Sequence, residues 1–341
     1  MLEKHKVLIT VPLTEAQANR LRAISPQLEI VQKCSRTEPS QMDPAPLLDG
    51  DEKILYCLRP PRDLSFAPKL SWVQLCVAGI DRLVAHPIME TGIAVTTASG
   101  AHAVPIGEYS IAVMLALARK LPLAVRTQDR GNWPDDVRNV FRGMELRDKT
   151  LGVVGYGSIG REAARIAKQG FRMCVLAMNR GEDKIDHGYV EPGVGDPEGR
   201  MPNGWFRRNQ LTELLAESDF VLVSAPLTDE TRNMIGEREL RCLKPTAFIV
   251  NIARGEIIDE AALVRALREK RIAGAALDVF EEEPLPPESE LWKLSNALIT
   301  PHISTWTQQY DDRVIGLFAE NLRRYLHREK LLNLVDRGRG Y

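Results

Sequence analysis

The sequence predicts an α/β protein built from two doubly wound parallel-sheet domains. Three observations predict it. The chain is 341 residues long. Short β-branched runs alternate with helical patterns along all of it, and that rhythm breaks and starts again at Thr150. Single hydrophobic cores stop growing near ~250–300 residues, so this length asks for two. Strand–helix–strand alternation gives parallel sheets covered by helices.

In the first domain, strands are expected at 6–10, 28–31, 53–57 and 72–75, with a helix at 15–23. The loop at 37–51 carries Pro39, Pro44 and Pro46 and is expected to be irregular. A long helix is expected at 104–119. Pro105 suits its first turn, where a missing N–H costs nothing, and Pro122 blocks its continuation. From Thr150 the expected strands are 150–154, 173–178, 220–224, 247–251, 274–278 and 298–299. Helices are expected between them at 159–168, 211–216, 237–243 and 260–270. Six strands with crossovers suit a doubly wound dinucleotide fold. Residues 186–206, rich in glycine and proline, read as an ordered insertion in the second crossover and a candidate partner contact. A last helix, 311–327, is expected to return to the first domain. The domains are therefore expected at 1–119 with 309–341, and at 120–308.

Composition narrows the function classes. With 45 Lys and Arg against 46 Asp and Glu, the formal charge is -1. Bulk attraction to nucleic acid or an anionic membrane is not expected. The longest apolar stretch, 111–118, lies between Glu108 and Arg119 and falls short of the ~20 residues that span a bilayer. The opening MLEKHKVLITV reads as a strand and not as a leader. Five cysteines (Cys34, Cys57, Cys76, Cys174 and Cys242) are scattered, odd in number and without a CxxC pair. Reduced thiols in a cytoplasmic setting are expected, with no metal site.

LGVVGYGSIG places Gly155, Gly157 and Gly160 in G-x-G-x-x-G spacing after an apolar strand and at the start of a helix. In that context the motif predicts a Rossmann domain. Gly155 permits the tight turn, Gly157 lets backbone approach a pyrophosphate, and Gly160 lets helix and strand pack closely. Tyr156, Ser158 and Ile159 complete the turn, the last two offering helix N-terminal N–H groups to phosphates. The next strand ends at Asn179 and Arg180, where an NAD enzyme carries an acid for the ribose 2′-hydroxyl. No acid stands at 179, and the Arg180 fork suits a 2′-phosphate. NADP is therefore expected over NAD.

Three more segments stand at the C-terminal ends of expected strands, the edge where open α/β sheets bind ligands. They are NIARGEIIDEAAL, GAALDVFEEEPL and ITPHIS. With SWVQLCVAGID and TASGAHAVPIGEYSIAVMLALAR, their order and spacing resemble the D-isomer-specific 2-hydroxyacid dehydrogenase family over nearly the whole chain.

The resemblance implies a flavodoxin-like discontinuous substrate domain beside the Rossmann domain. It implies hydride transfer between NAD(P)H and a small 2-oxo or D-2-hydroxy acid such as glyoxylate or hydroxypyruvate. His302 would be the acid/base. Glu283 would be its partner, preferred over Glu281 and Glu282 only by the family pattern. Arg254 would bind the substrate carboxylate and carbonyl oxygen, with backbone N–H groups of Val77, Ala78 and Gly79 on the other side. Pro226, Thr231, Ala253 and Asp278 would lie near the cofactor. A homodimer is implied, with the 104–119 helix near its interface.

These residue types suit the chemistry. A ketone being reduced gathers negative charge on oxygen and needs a proton donor within ~3 Å. A nearby carboxylate favours imidazolium, and a guanidinium binds a planar carboxylate through two oxygens. Trp306 either walls the pocket or packs in the core, and Arg59 is a further pocket candidate. Two rival readings stand beside this one. One is a nucleotide-sensing corepressor-like module. The other is a formate- or phosphite-type dehydrogenase, against which the Glu–His pair points to a carbonyl needing protonation.

Overall fold

Both sheets are entirely parallel, and each carries its helices as crossovers. The computed structural model describes residues 4–34, 43–181 and 184–338. Contacts divide the chain into 1–102 with 307–341, and 103–306.

The first unit contains β1 (His5–Ile9), α1 (Glu15–Arg22), β2 (Leu28–Gln32), β3 (Ile54–Cys57), β4 (Trp72–Leu75) and β5 (Ala94–Thr96). The sheet order β2-β1-β3-β4-β5 is the flavodoxin-like arrangement. Strands covered on both faces are apolar without alternation, as the buried run Val7, Leu8 and Ile9 shows. Helix α1 starts at Thr14 through a reciprocal cap. The Gln17 N–H donates to Thr14 Oγ1 at 3.3 Å, and the Thr14 N–H donates to Gln17 Oε1 at 2.9 Å. The C-terminal helix Tyr310–Leu326 packs in this unit, its buried Phe318 stacked on Tyr56 with centroids 4.7 Å apart. Strand β5 is absent from the sequence expectation because three residues give no readable period. The 37–51 loop holds a 3₁₀ turn at Ala45–Leu47, and its residues 37–42 lie outside the described residues.

The second unit opens with α2 (Ala103–Ala118), α3 (Leu121–Asp129) and α4 (Val137–Val140). Then come β6 (Thr150–Val154), α5 (Ser158–Phe171), β7 (Cys174–Met178), β8 (Gly204–Phe206) and α6 (Leu211–Glu217). It continues with β9 (Phe220–Val223), α7 (Glu237–Cys242), β10 (Phe248–Asn251), α8 (Glu260–Arg268), β11 (Gly274–Leu277) and β12 (Ala297–Ile299). The order β12-β11-β10-β9-β6-β7-β8 runs outward from β6 to β8, then reverses at β9. The reversal between β6 and β9 is the switch point of a Rossmann sheet.

Three expectations change here. The sheet has seven strands, since Gly204–Phe206 at the end of the insertion pairs with β7. Helices α3 and α4 fall between the 104–119 helix and Thr150, where the sequence reading places no element. Helix α2, expected to close the first domain, packs in the second unit. Its Ile106, Ile111, Val113 and Met114 are buried with β6 and α5, and a side chain at Gly107 would meet Glu162 Cγ at 2.7 Å. Its apolar run is thus filled from within the unit.

The remainder of the insertion folds onto α5 through a buried polar frame. Asp196 accepts from the Tyr156 hydroxyl and from the N–H groups of Arg200 and Met201, each at 2.8 Å. The Arg161 guanidinium donates to the carbonyls of Asp196 and Lys184. Among the described residues no helix is long and apolar enough to cross a membrane.

Candidate active site

The glycine turn joins β6 to α5 at the switch point. Gly155 has φ +99°, and a side chain there would lie 2.5 Å from Ala225 Cα and N. Ser224 Oγ donates to the Gly155 carbonyl at 2.8 Å and pins the turn. A side chain at Gly160 would meet the Gly155 carbonyl oxygen at 2.6 Å, so the helix packs against its own strand here. Gly157 differs, because a side chain there would meet no heavy atom within 4 Å. It is also the N-cap of α5, and no side chain caps that end. Open space before N–H groups of a helix N-terminus fits a pyrophosphate. Ser158 and Ile159 open the helix at that point. Tyr156 is buried, with its hydroxyl on Asp196, so only its backbone faces the turn.

At the end of β7, the Asn179 side-chain oxygen accepts from the Arg180 N–H at 2.8 Å. Arg180 Nη2 pairs with Glu230 Oε1 at 3.1 Å, and Arg208 Nη1 reaches the other oxygen of Glu230 at 3.6 Å. Two guanidiniums therefore flank one exposed carboxylate beside Asn179. Pro226 and Thr231 lie in the loop after β9, where Thr231 Oγ1 donates to the Pro226 carbonyl at 2.6 Å.

Arg254 follows β10 and is half-buried, with Nη1 donating to the Ala253 carbonyl at 2.7 Å. The buried Asn251 shapes this turn from both sides. Its Nδ2 donates to the Arg254 carbonyl at 2.9 Å, and its Oδ1 accepts from the Ala253 N–H at 3.1 Å. Gly255 presses against the loop after β11, because a side chain there would sit 1.9 Å from the Phe280 carbonyl carbon. That approach sets the Arg254 turn against the Glu283 loop.

His302 follows β12. Its Nδ1 lies 2.9 Å from Glu283 Oε2, while Glu283 Oε1 accepts from the Phe280 N–H at 3.1 Å. Of the acids in that run, Glu283 is the one on the imidazole. Glu281 turns to the α8 N-terminus, where its Oε1 accepts from the Glu260 N–H at 3.2 Å. His302 has φ +52°, a left-handed conformation. Asp278, 1% exposed, holds the segment around it. Asp278 Oδ1 accepts from Thr300 Oγ1 at 2.6 Å and the Ile303 N–H at 2.9 Å, and Oδ2 accepts from the Ser304 N–H at 2.9 Å. Tyr109 on α2 reaches Thr300 Oγ1 at 2.5 Å. Burial pushes the Tyr109 phenol up to about 12.

Sequence reasoning missed Tyr109, Thr300 and Asn251. The one available signal was a tyrosine on α2 just before its apolar run. Trp306 is 71% exposed and so does not pack in a core of its unit. In the other unit, Val77, Ala78 and Gly79 follow β4, and the Val77 carbonyl accepts from the Ala98 N–H at 2.9 Å. Arg59 stands two residues after β3 in the same unit.

A glycine turn at the switch point, with an Arg and a His–Glu pair following strands of the same sheet edge, defines a dinucleotide-dependent oxidoreductase. Comparisons sharpen that class. Residues 111–304 match the D-isomer specific 2-hydroxyacid dehydrogenase, NAD binding domain. A glyoxylate reductase of Korarchaeum cryptofilum is 37% identical over 271 residues, 79% of this chain and 77% of that protein. A D-3-phosphoglycerate dehydrogenase of Methanocaldococcus jannaschii is 33% identical over 97% of this chain, which spans 59% of that protein. A D-isomer specific 2-hydroxyacid dehydrogenase from Xanthobacter autotrophicus Py2, solved with NADPH and MES, superposes with a TM-score of 0.78. It is 29% identical, and the match covers 99% of this chain and all of that one. The chain belongs to the D-isomer specific 2-hydroxyacid dehydrogenase family and is an NAD(P)-dependent enzyme of that class.

Proposed function

We propose that this enzyme reduces a small 2-oxo acid, glyoxylate first among candidates, with NADPH as the hydride donor. The observation that carries the reading is the 2.9 Å contact between His302 Nδ1 and Glu283 Oε2, backed by the Phe280 N–H on Glu283. With Nδ1 committed to the carboxylate, Nε2 is left for the substrate's carbonyl oxygen. A bound nicotinamide supplies the hydride. His302 gives its proton to the oxygen as charge develops there, and Glu283 stabilises the imidazolium and fixes the ring plane. Arg254 binds the substrate carboxylate through its planar fork. The backbone after β4, at Val77, Ala78 and Gly79, is assigned to the same carboxylate by family resemblance. Glyoxylate is the substrate in the name of the Korarchaeum relative.

Gly155, Gly157, Ser158, Ile159 and Gly160 would hold the pyrophosphate, and Pro226, Thr231, Ala253 and Asp278 would line the nicotinamide side. Arg180, with Arg208 beside it, favours a 2′-phosphate. No carboxylate stands at 179, and Glu230 already gathers two guanidiniums that a phosphate can take over. A homodimer is part of the reading. The exposed apolar side chains Leu121, Val125 and Trp133 favour it, and sedimentation velocity measures it.

The test is steady-state turnover on a panel of 2-oxo acids with NADPH and with NADH. His302→Ala and Arg254→Ala are each expected to lose ~10²-fold or more in kcat/KM while nucleotide still binds. Arg180→Ala is expected to lower kcat/KM for NADPH and leave that for NADH. Full activity in His302→Ala defeats the acid assignment, and a native preference for NADH defeats the cofactor assignment.

A further inference from the structure

The His302 segment is held by a polar chain that begins on another element. Thr300 Oγ1 donates to the Asp278 carboxylate at 2.6 Å, so its single proton is committed. The Tyr109 hydroxyl, 2.5 Å away, must then be the donor to Thr300. The chain runs phenol to hydroxyl to carboxylate, each bond polarising the next toward a buried charge. On the far side, the same carboxylate takes the N–H groups of Ile303 and Ser304 at 2.9 Å each. His302 lies between these anchors, with its own N–H on the Thr300 carbonyl at 3.0 Å.

Its left-handed φ of +52° is strained in a non-glycine residue and persists only where surroundings enforce it. The described contacts that enforce it converge on Asp278 and Thr300. Tyr109 is the one side chain in that chain supplied from outside the two loops. Helix α2, which carries it, is itself fixed against α5 by close packing at Gly107.

We propose that Tyr109 is a positioning residue for the reaction. Through Thr300 and Asp278 it locks the backbone turn that aims the His302 imidazole. This rests on the reading of His302 as the proton donor. The phenol keeps its proton across the working pH range, since burial pushes it up to about 12, so the donor role does not lapse.

Tyr109→Phe removes one oxygen and keeps the ring. It is expected to lower kcat about tenfold, since small misplacements at a reacting centre cost up to ~10²-fold. The KM for NADPH is expected to stay within about twofold, and thermal stability to change little. Thr300→Val breaks the chain one link further on, and Thr300→Ser, which keeps the hydroxyl, is expected to recover most of the loss. The Tyr109→Phe, Thr300→Val double variant is expected to be no slower than Thr300→Val alone, because both act through one path.

An unchanged kcat in Tyr109→Phe, or additive losses in the double variant, overturns the proposal. If Tyr109→Phe fails to fold, the Thr300 pair decides, and equal kcat in Thr300→Val and Thr300→Ser overturns it. His302→Ala run beside them separates the two levels. An active His302→Ala defeats the acid assignment, whereas an inactive His302→Ala with a fully active Tyr109→Phe defeats only the positioning role.

Discussion

Gly255→Ala tests whether the two loops carrying Arg254 and Glu283 are set by direct backbone contact. An added methyl at Gly255 would lie 1.9 Å from the Phe280 carbonyl carbon, 2.2 Å from its oxygen and 2.3 Å from the Glu281 nitrogen. Carbon atoms in contact sit ~3.5 Å apart, so one loop must retreat by about 1.5 Å. The obstacle is backbone, and no rotamer change relieves it. Overpacking of this kind costs ~1–3 kcal/mol and occasionally more. Taking ~3 kcal/mol, and ~2–4 °C per kcal/mol for a unit of this size, Tm falls by about 6–12 °C. A shift of more than 1 Å between groups that act on one substrate lowers kcat/KM by ~10²-fold. Calorimetry and steady-state kinetics read the two effects. Gly170→Ala is the control, because a side chain there meets nothing within 4 Å and alanine suits a helix. A Gly255→Ala protein with native Tm and native kcat/KM would refute the claim that this contact sets the loops.

Gly157→Ala and Gly160→Ala are expected to part company. The first leaves Tm within a few degrees and weakens NADPH binding in a titration. The second meets the Gly155 carbonyl oxygen at 2.6 Å and lowers Tm before any ligand is added. Stability is also expected to fall as the medium is acidified below the ordinary histidine range of ~6.5. Burial, reinforced by Arg62, lowers the His86 pKa against smaller opposing pulls from the Pro60 backbone and Asp43, and its Nδ1 accepts from the Ile88 N–H at 3.2 Å. The unfolded chain therefore takes the proton first, and the neutral form's contribution is lost as pH falls. Across pH 7 to 5, the Tm of His86→Gln is expected to drop less than that of the native chain, and parallel curves would exclude His86 as a cause. Thiol labelling at neutral pH is expected to mark the exposed Cys34 and spare Cys57, whose burial pushes its thiol well up. Labelling of Cys57 in the native protein would show that the first sheet opens readily.

The long elements were legible because their periods are long. Helix α2 announces itself through the apolar run 111–118 with prolines at 105 and 122, and strand β6 through the apolar residues that lead into the glycine turn. Strands β5 and β8 were not legible, since three residues carry no period and β8 sits among glycines and prolines that signal a loop. The Arg254, Glu283 and His302 positions were readable as short motifs at strand ends, each with a chemical type suited to its place. The residues themselves do not choose among Glu281, Glu282 and Glu283, because adjacent acids look alike; the family pattern chose Glu283, and the fold puts it 2.9 Å from the imidazole. Tyr109 and Thr300 were invisible for a related reason. A contact across 191 residues of chain leaves no local spacing to read.

Tyr156 belongs to two constructions at once. Its backbone forms part of the glycine turn, and its side chain closes the polar frame around Asp196 and Arg161. The stretch from Lys184 to Asn203 is thus an abutment for the nucleotide turn as well as a surface decoration. Anyone who transplants the turn into another scaffold, or trims the stretch to shorten the protein, will leave Arg161 without its carbonyl partners and loosen the glycine turn. Variation in this stretch would accordingly tune nucleotide affinity from a distance while every residue that meets the cofactor stays the same.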